Sequence, residues 1–103
     1  MADIEAIAET ILKECQEDYV GLWSIVRTVR ANLVEEASVP EVTLSVVQKL
    51  LDAGQIVAGE FRGTDFMTWE IPTSAVLSRV QQECNKLGRD PDIGEVAWFT
   101  ARV

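Results

Sequence analysis

The hydrophobic period of this chain first changes at Gly54, and that change limits the available folds more than any other feature. Before the glycine, apolar residues recur at three- and four-residue steps; after it, a stretch alternates residue by residue. The first pattern makes amphipathic helices and the second half-buried strands. Ile4, Ile7, Ala8, Ile11, Leu12 and Cys15 predict a helix over 4–16 with its acids on the opposite face. Asp3 is placed to cap it, and Glu5 falls in the first turn, where negative charge is favoured. Asp18 is placed to cap a second helix over about 19–33, with Leu22, Ile25, Val26, Val29 and Leu33 inward and Gly21 in its first turn. Ser38-Val39-Pro40-Glu41 has the form of a capping box with proline in the first turn. The third helix turns Val42, Val46, Val47, Leu50 and Leu51 inward and ends at Gly54.

Beyond that point, 55–61 and 66–71 read as strands joined by the turn Arg62-Gly63-Thr64-Asp65. Pro72-Thr73-Ser74 opens a fourth helix over about 75–87, with Val76, Val80, Cys84 and Leu87 on one stripe, and Gly88 stops it. A turn at 90–94 leads to a last strand within 95–102. Three helices followed by a hairpin, the third helix running straight into the first strand, is the winged helix-turn-helix order. The expected fold is therefore α+β: one winged-helix domain over 1–103, with an added C-terminal helix and strand. The junction Leu50-Leu51-Asp52-Ala53-Gly54-Gln55-Ile56-Val57 resembles the helix–glycine–strand junction of winged-helix proteins. The segment from Leu87-Gly88-Arg89 through Asp90-Pro91-Asp92-Ile93-Gly94-Glu95 to Val96-Ala97-Trp98-Phe99, with Gly21-Leu22-Trp23-Ser24-Ile25-Val26, resembles a group of small uncharacterised bacterial proteins. That resemblance implies no activity.

The chain contains no histidine. Imidazole bases, Ser-His-Asp and Cys-His nucleophile systems and histidine-rich zinc sites are thereby excluded. No phosphate-cradling glycine loop or nucleophile elbow occurs either. The expectation is a non-enzymatic protein without catalytic residues, metal or cofactor. Asp90, Asp92 and Glu95 surround Gly94, but their spacing departs from a calcium-binding loop and reads as a turn held by aspartate side chains. Cys15 and Cys84 lie far apart on helical apolar stripes and read as buried reduced thiols; a bridge between the first and last helices stays open. No apolar run approaches the roughly 18 residues that span a bilayer, and the acidic N-terminus is unlike a secretory signal, so a cytoplasmic, membrane-free protein is expected.

Charge bears on partners. The net charge is −8, and residues 1–20 hold six acids against Lys13 alone. Such a field repels a nucleic-acid duplex and attracts a basic protein surface. Glu5, Glu9, Glu14, Glu17 and Asp18 are the expected partner-binding residues, all read as solvent-facing, in the manner of small acidic immunity or inhibitor proteins that neutralise a basic partner. Trp69, read as the tryptophan nearest the surface between Met67 and Ile71, is a candidate anchor for a partner or a dimer contact; Trp23 and Trp98 read as core. The alternative is a DNA-binding regulator, which leaves homodimerisation open. Its third helix would offer Ser45, Gln48 and Lys49 to bases, while Arg27, Arg30 and Arg62 of the wing reach phosphates.

Overall fold

In the computed structural model, which describes residues 3–32 and 35–102, the chain is an α+β protein of four helices and one four-stranded antiparallel sheet. The elements run α1 (Ile4–Glu17), β1 (Val20–Gly21), α2 (Leu22–Ala31), a short 3₁₀ turn (Glu36–Ser38), α3 (Val39–Asp52), β2 (Ile56–Arg62), β3 (Asp65–Thr68), α4 (Thr73–Leu87) and β4 (Trp98–Ala101). Asp3 caps α1 as its position implies, its carboxylate accepting from the Ala6 amide at 3.1 Å.

The other expected caps form differently. Asp18 closes α1 rather than opening α2, and its carboxylate accepts from the Tyr19 amide at 2.7 Å. The chain then stays extended for two residues, because Val20 and Gly21 find a strand partner in β4 that local sequence does not announce. Gly21 becomes the residue before α2. Ser38 makes no side-chain cap: the preceding 3₁₀ turn already sets its backbone at φ −88°, ψ −9°, so the box geometry is lost. Leu33, expected on the α2 stripe, lies outside the described residues.

The sheet order is β1-β4-β2-β3. The last strand is thus no appendage. It occupies the centre and pairs with β1 (Val20 opposite Phe99) and with β2 (Ala58 opposite Phe99). Phe99 is wholly buried, and with Val20 and Ala58 it joins the core built from Ile11, Leu22, Ile25, Val46, Val47 and Leu50. α1 packs on α3 and β4, while α2 and α4 both pack on α3. The hairpin β2–β3 turns at Gly63, whose φ of +64° suits glycine, with Phe61 opposite Phe66.

β4 is delivered by a stapled loop. Arg89 grips Glu95 through both terminal guanidinium nitrogens, at 2.7 and 3.0 Å, and Glu95 also accepts from the Asp92 amide at 2.7 Å. The turn is therefore held by a glutamate, not by the expected aspartates; Asp90 reaches Arg30 at 2.6 Å instead. Val96 follows at φ +71°, with the Ala97 amide donating to the Glu95 carbonyl at 2.9 Å. A β-branched residue in that region stores strain, which the staple and the sheet together hold in place.

Candidate protein-interaction site

α1 ends where the sheet begins, so the acids of its last turn stand beside the edge strand β1. Glu14, Glu17 and Asp18 line a groove of about 290 Å³ together with Tyr19, Trp23, Ile93 and Trp98. Among the described residues, no lysine or arginine lines it. Gly21 makes room for the Trp23 wall, and Gly59 makes room for Phe66 beyond the groove. Trp98 is flanked across the sheet by Gly21 on β1 and Gly59 on β2. A Cβ on Gly21 would stand 2.6 Å from Trp23, and one on Gly59 2.3 Å from the Met67 carbonyl oxygen and 2.7 Å from the Phe66 ring. The rings lie against the strands because these positions carry no side chain.

From Trp98 the aromatic surface continues outward. Phe61 meets Trp98 edge-on at 5.3 Å, and Tyr19 lies 4.9 Å from both Phe61 and Phe66. Tyr19 is 42 % exposed and Ile93 70 % exposed, which makes them the accessible apolar groups beside the carboxylates. Sequence reasoning passed over Tyr19, Phe61 and Phe66. A signal was present in Phe61-Arg62-Gly63-Thr64-Asp65-Phe66, where two rings placed symmetrically about a tight turn must pair across the hairpin.

The structure divides the expected acidic surface in two. Glu5 and Glu9 sit at the other end of α1, beside α3, where Lys49 approaches Glu5 at 3.6 Å. Glu9, Glu17 and Asp18 are exposed, but Glu14 is half-buried on the flank of the helix, contrary to the solvent-facing position expected of it. Its Oε2 is sealed from solvent without a hydrogen-bond donor, and so is the Trp23 indole nitrogen without an acceptor; both residues line the groove. Among the described residues, no ion pair uses Glu9, Glu14, Glu17 or Asp18. Trp23 and Trp98 are half-buried at this surface rather than enclosed in the core.

Trp69 is elsewhere. Its indole donates to Glu60 at 3.1 Å, Arg79 lies over its ring at 3.9 Å, and it shares a different groove with Ile71, Pro72 and Val76. One ring face is already covered, so the flanking Met67 and Ile71 are the more exposed groups there.

The residues of the nucleic-acid alternative are likewise dispersed. Arg30 is tied to Glu36 and Asp90, Lys49 to Glu5, and the Ser45 hydroxyl donates to the Glu41 carbonyl. Gln48, Arg27 and Arg62 are exposed. Both thiols are free: Cys15 is buried and pushed up to about 12 by burial, with Glu14 adding to the effect, while Cys84 is half-buried and raised for the same reason, with Asp90 and Glu83 contributing. No helix among the described residues is long and apolar enough to cross a membrane. No family model matches the sequence, and no curated protein or solved structure matches it.

Proposed function

We propose that this chain is a non-enzymatic interaction module of winged-helix type that binds a basic protein partner, in the manner of a small acidic inhibitor. One observation carries the reading. Three acidic residues at the end of α1 line an aromatic groove that, among the described residues, has no lysine or arginine in its wall, and none of them is in an ion pair there. Unneutralised like charges gathered beside exposed rings oppose the stability of the free protein. A partner that brings positive charge relieves them and is steered to them at long range. The helix–strand–helix–helix–strand order of α1 to β2 supports the winged-helix assignment, with β3, α4 and the central β4 forming the remainder of the sheet and its cover.

The duplex-binding alternative draws less support. Of its four cations, Lys49 and Arg30 are engaged by carboxylates, which leaves Arg27 and Arg62 to hold phosphates against a net charge of −8. Fluorescence anisotropy at low salt separates the two readings. A labelled, unstructured peptide rich in lysine and arginine should bind and be released as salt rises, while a labelled duplex should not bind. Duplex binding that is steeply salt-dependent and falls on Lys49→Glu, with no response to the peptide, would replace this reading with the regulator.

A further inference from the structure

We infer that the groove between the end of α1 and the β1 edge is an anchor pocket for one arginine side chain in an extended segment of the partner, an inference that rests on the proposed basic-partner function. The first requirement for such a pocket is size. At about 290 Å³ the groove lies just under the roughly 300–1,000 Å³ typical of small-molecule sites, yet it takes one long side chain.

The second is chemistry. The walls pair Glu14, Glu17 and Asp18 with Tyr19, Trp23 and Trp98. A guanidinium uses both sets at once, stacking its plane on rings while its five N–H groups reach carboxylates in a fixed fork. A lysine ammonium is a strongly hydrated point charge that gains much less from the rings. The free protein also leaves polar atoms unsatisfied in this wall. Glu14 Oε2 has no donor and Trp23 Nε1 has no acceptor. Sealed polar atoms of this kind are costly to leave unpaired. An arginine seated in the groove brings its donors beside the carboxylates of Glu14, Glu17 and Asp18, and its arrival is registered by the neighbouring Trp23 and Trp98. β1 is the outer strand of the sheet on this side, but its two residues are buried, so the segment is held by its side chain in the groove and not by strand pairing.

The test uses the full chain, labelled with ¹⁵N and titrated with hexa-arginine and, separately, hexa-lysine at the same low salt. Hexa-arginine is expected to bind about tenfold more tightly, a margin of about 1.4 kcal/mol. The indole N–H signals of Trp23 and Trp98 should move, while that of Trp69, already bonded to Glu60, stays in place. Glu14→Gln, which keeps the side-chain size, should shrink the arginine advantage to about twofold or less. Glu17→Gln, at an exposed position, provides a second variant with the same expected direction should Glu14→Gln disturb the fold. Equal affinity for the two peptides, or shifts that spare Trp23 and Trp98, overturns the arginine pocket while leaving the basic-partner reading intact. Failure of both peptides to bind overturns the two together.

Discussion

Trp98 stands directly opposite Gly21 across the β1–β4 pair, and the space above that glycine is taken by the Trp23 ring. The relationship explains how a tryptophan at the first position of the central strand can belong to a groove instead of the core. It also fixes a cost for filling the space. Gly21→Ala would place a methyl 2.6 Å from Trp23 and 3.5 Å from Trp98, and should destabilise the fold by about 1–3 kcal/mol, as overpacking does. Gly54→Ala is the control: nothing lies within 4 Å, and only its φ of +69° opposes a side chain, which costs about 1–2 kcal/mol without touching the groove. Urea denaturation gives both values. Tryptophan emission of the folded state should change for the first variant alone.

Phe99 is the keystone of the sheet, buried completely between β1 and β2 partners. Phe99→Ala should cost about 3–5 kcal/mol. Set against the about 5–15 kcal/mol that holds a typical domain together, this leaves a marginal protein. A denaturation midpoint close to that of the parent would show that β4 is peripheral after all.

The Arg89–Glu95 fork predicts a pH signature. Arg89 and the Asp92 amide hold the Glu95 carboxyl below the usual range, so its folded value lies under its unfolded one. Its contribution is therefore fully present above the ordinary glutamate value of about 4.3 and is lost as pH falls through the lower folded value. Glu95→Gln should melt earlier than the parent at neutral pH, with the gap closing in acid. A gap in melting temperature that does not vary with pH would contradict this.

Thiol reactivity distinguishes the two cysteines. Cys15 is buried and pushed up to about 12, so the thiolate that reacts is scarce and shielded. Ellman's reagent at about pH 8 should titrate Cys84 slowly in the folded protein and Cys15 only once denaturant is added. Fast reaction of two thiols in the native state would refute the packing of α1.

The helices were legible because each buries one stripe. Ile7, Ile11 and Cys15 on α1, or Val46, Val47 and Leu50 on α3, repeat at spacings that only a helix places together. The hairpin was legible from the alternation around its glycine turn. What local pattern does not carry is pairing between distant segments. Val20 and Gly21 become a strand only because Phe99 and Trp98 arrive some eighty residues later, and nothing near Val20 records that. For the same reason the final strand reads as an addition when it is the centre of the sheet. The candidate site was half legible. The acidic bias of the first twenty residues is in the composition, but its division between a Lys49-facing end and an aromatic end depends on where α1 stops against β1. Trp69 stood out by its flanking residues; the structure gives its ring to Arg79 and Glu60.

Under the proposed function, position and not total charge makes the end of α1 the working surface. Two triple variants of equal net charge, compared for binding an arginine-rich peptide at fixed ionic strength, separate position from charge. Glu14→Gln with Glu17→Gln and Asp18→Asn removes the groove acids; Glu41→Gln with Asp52→Asn and Asp65→Asn removes as many remote ones. Affinity should fall by about tenfold or more for the first and by about twofold or less for the second, since scattered exposed charges contribute weakly. Equal losses for the two variants would contradict it.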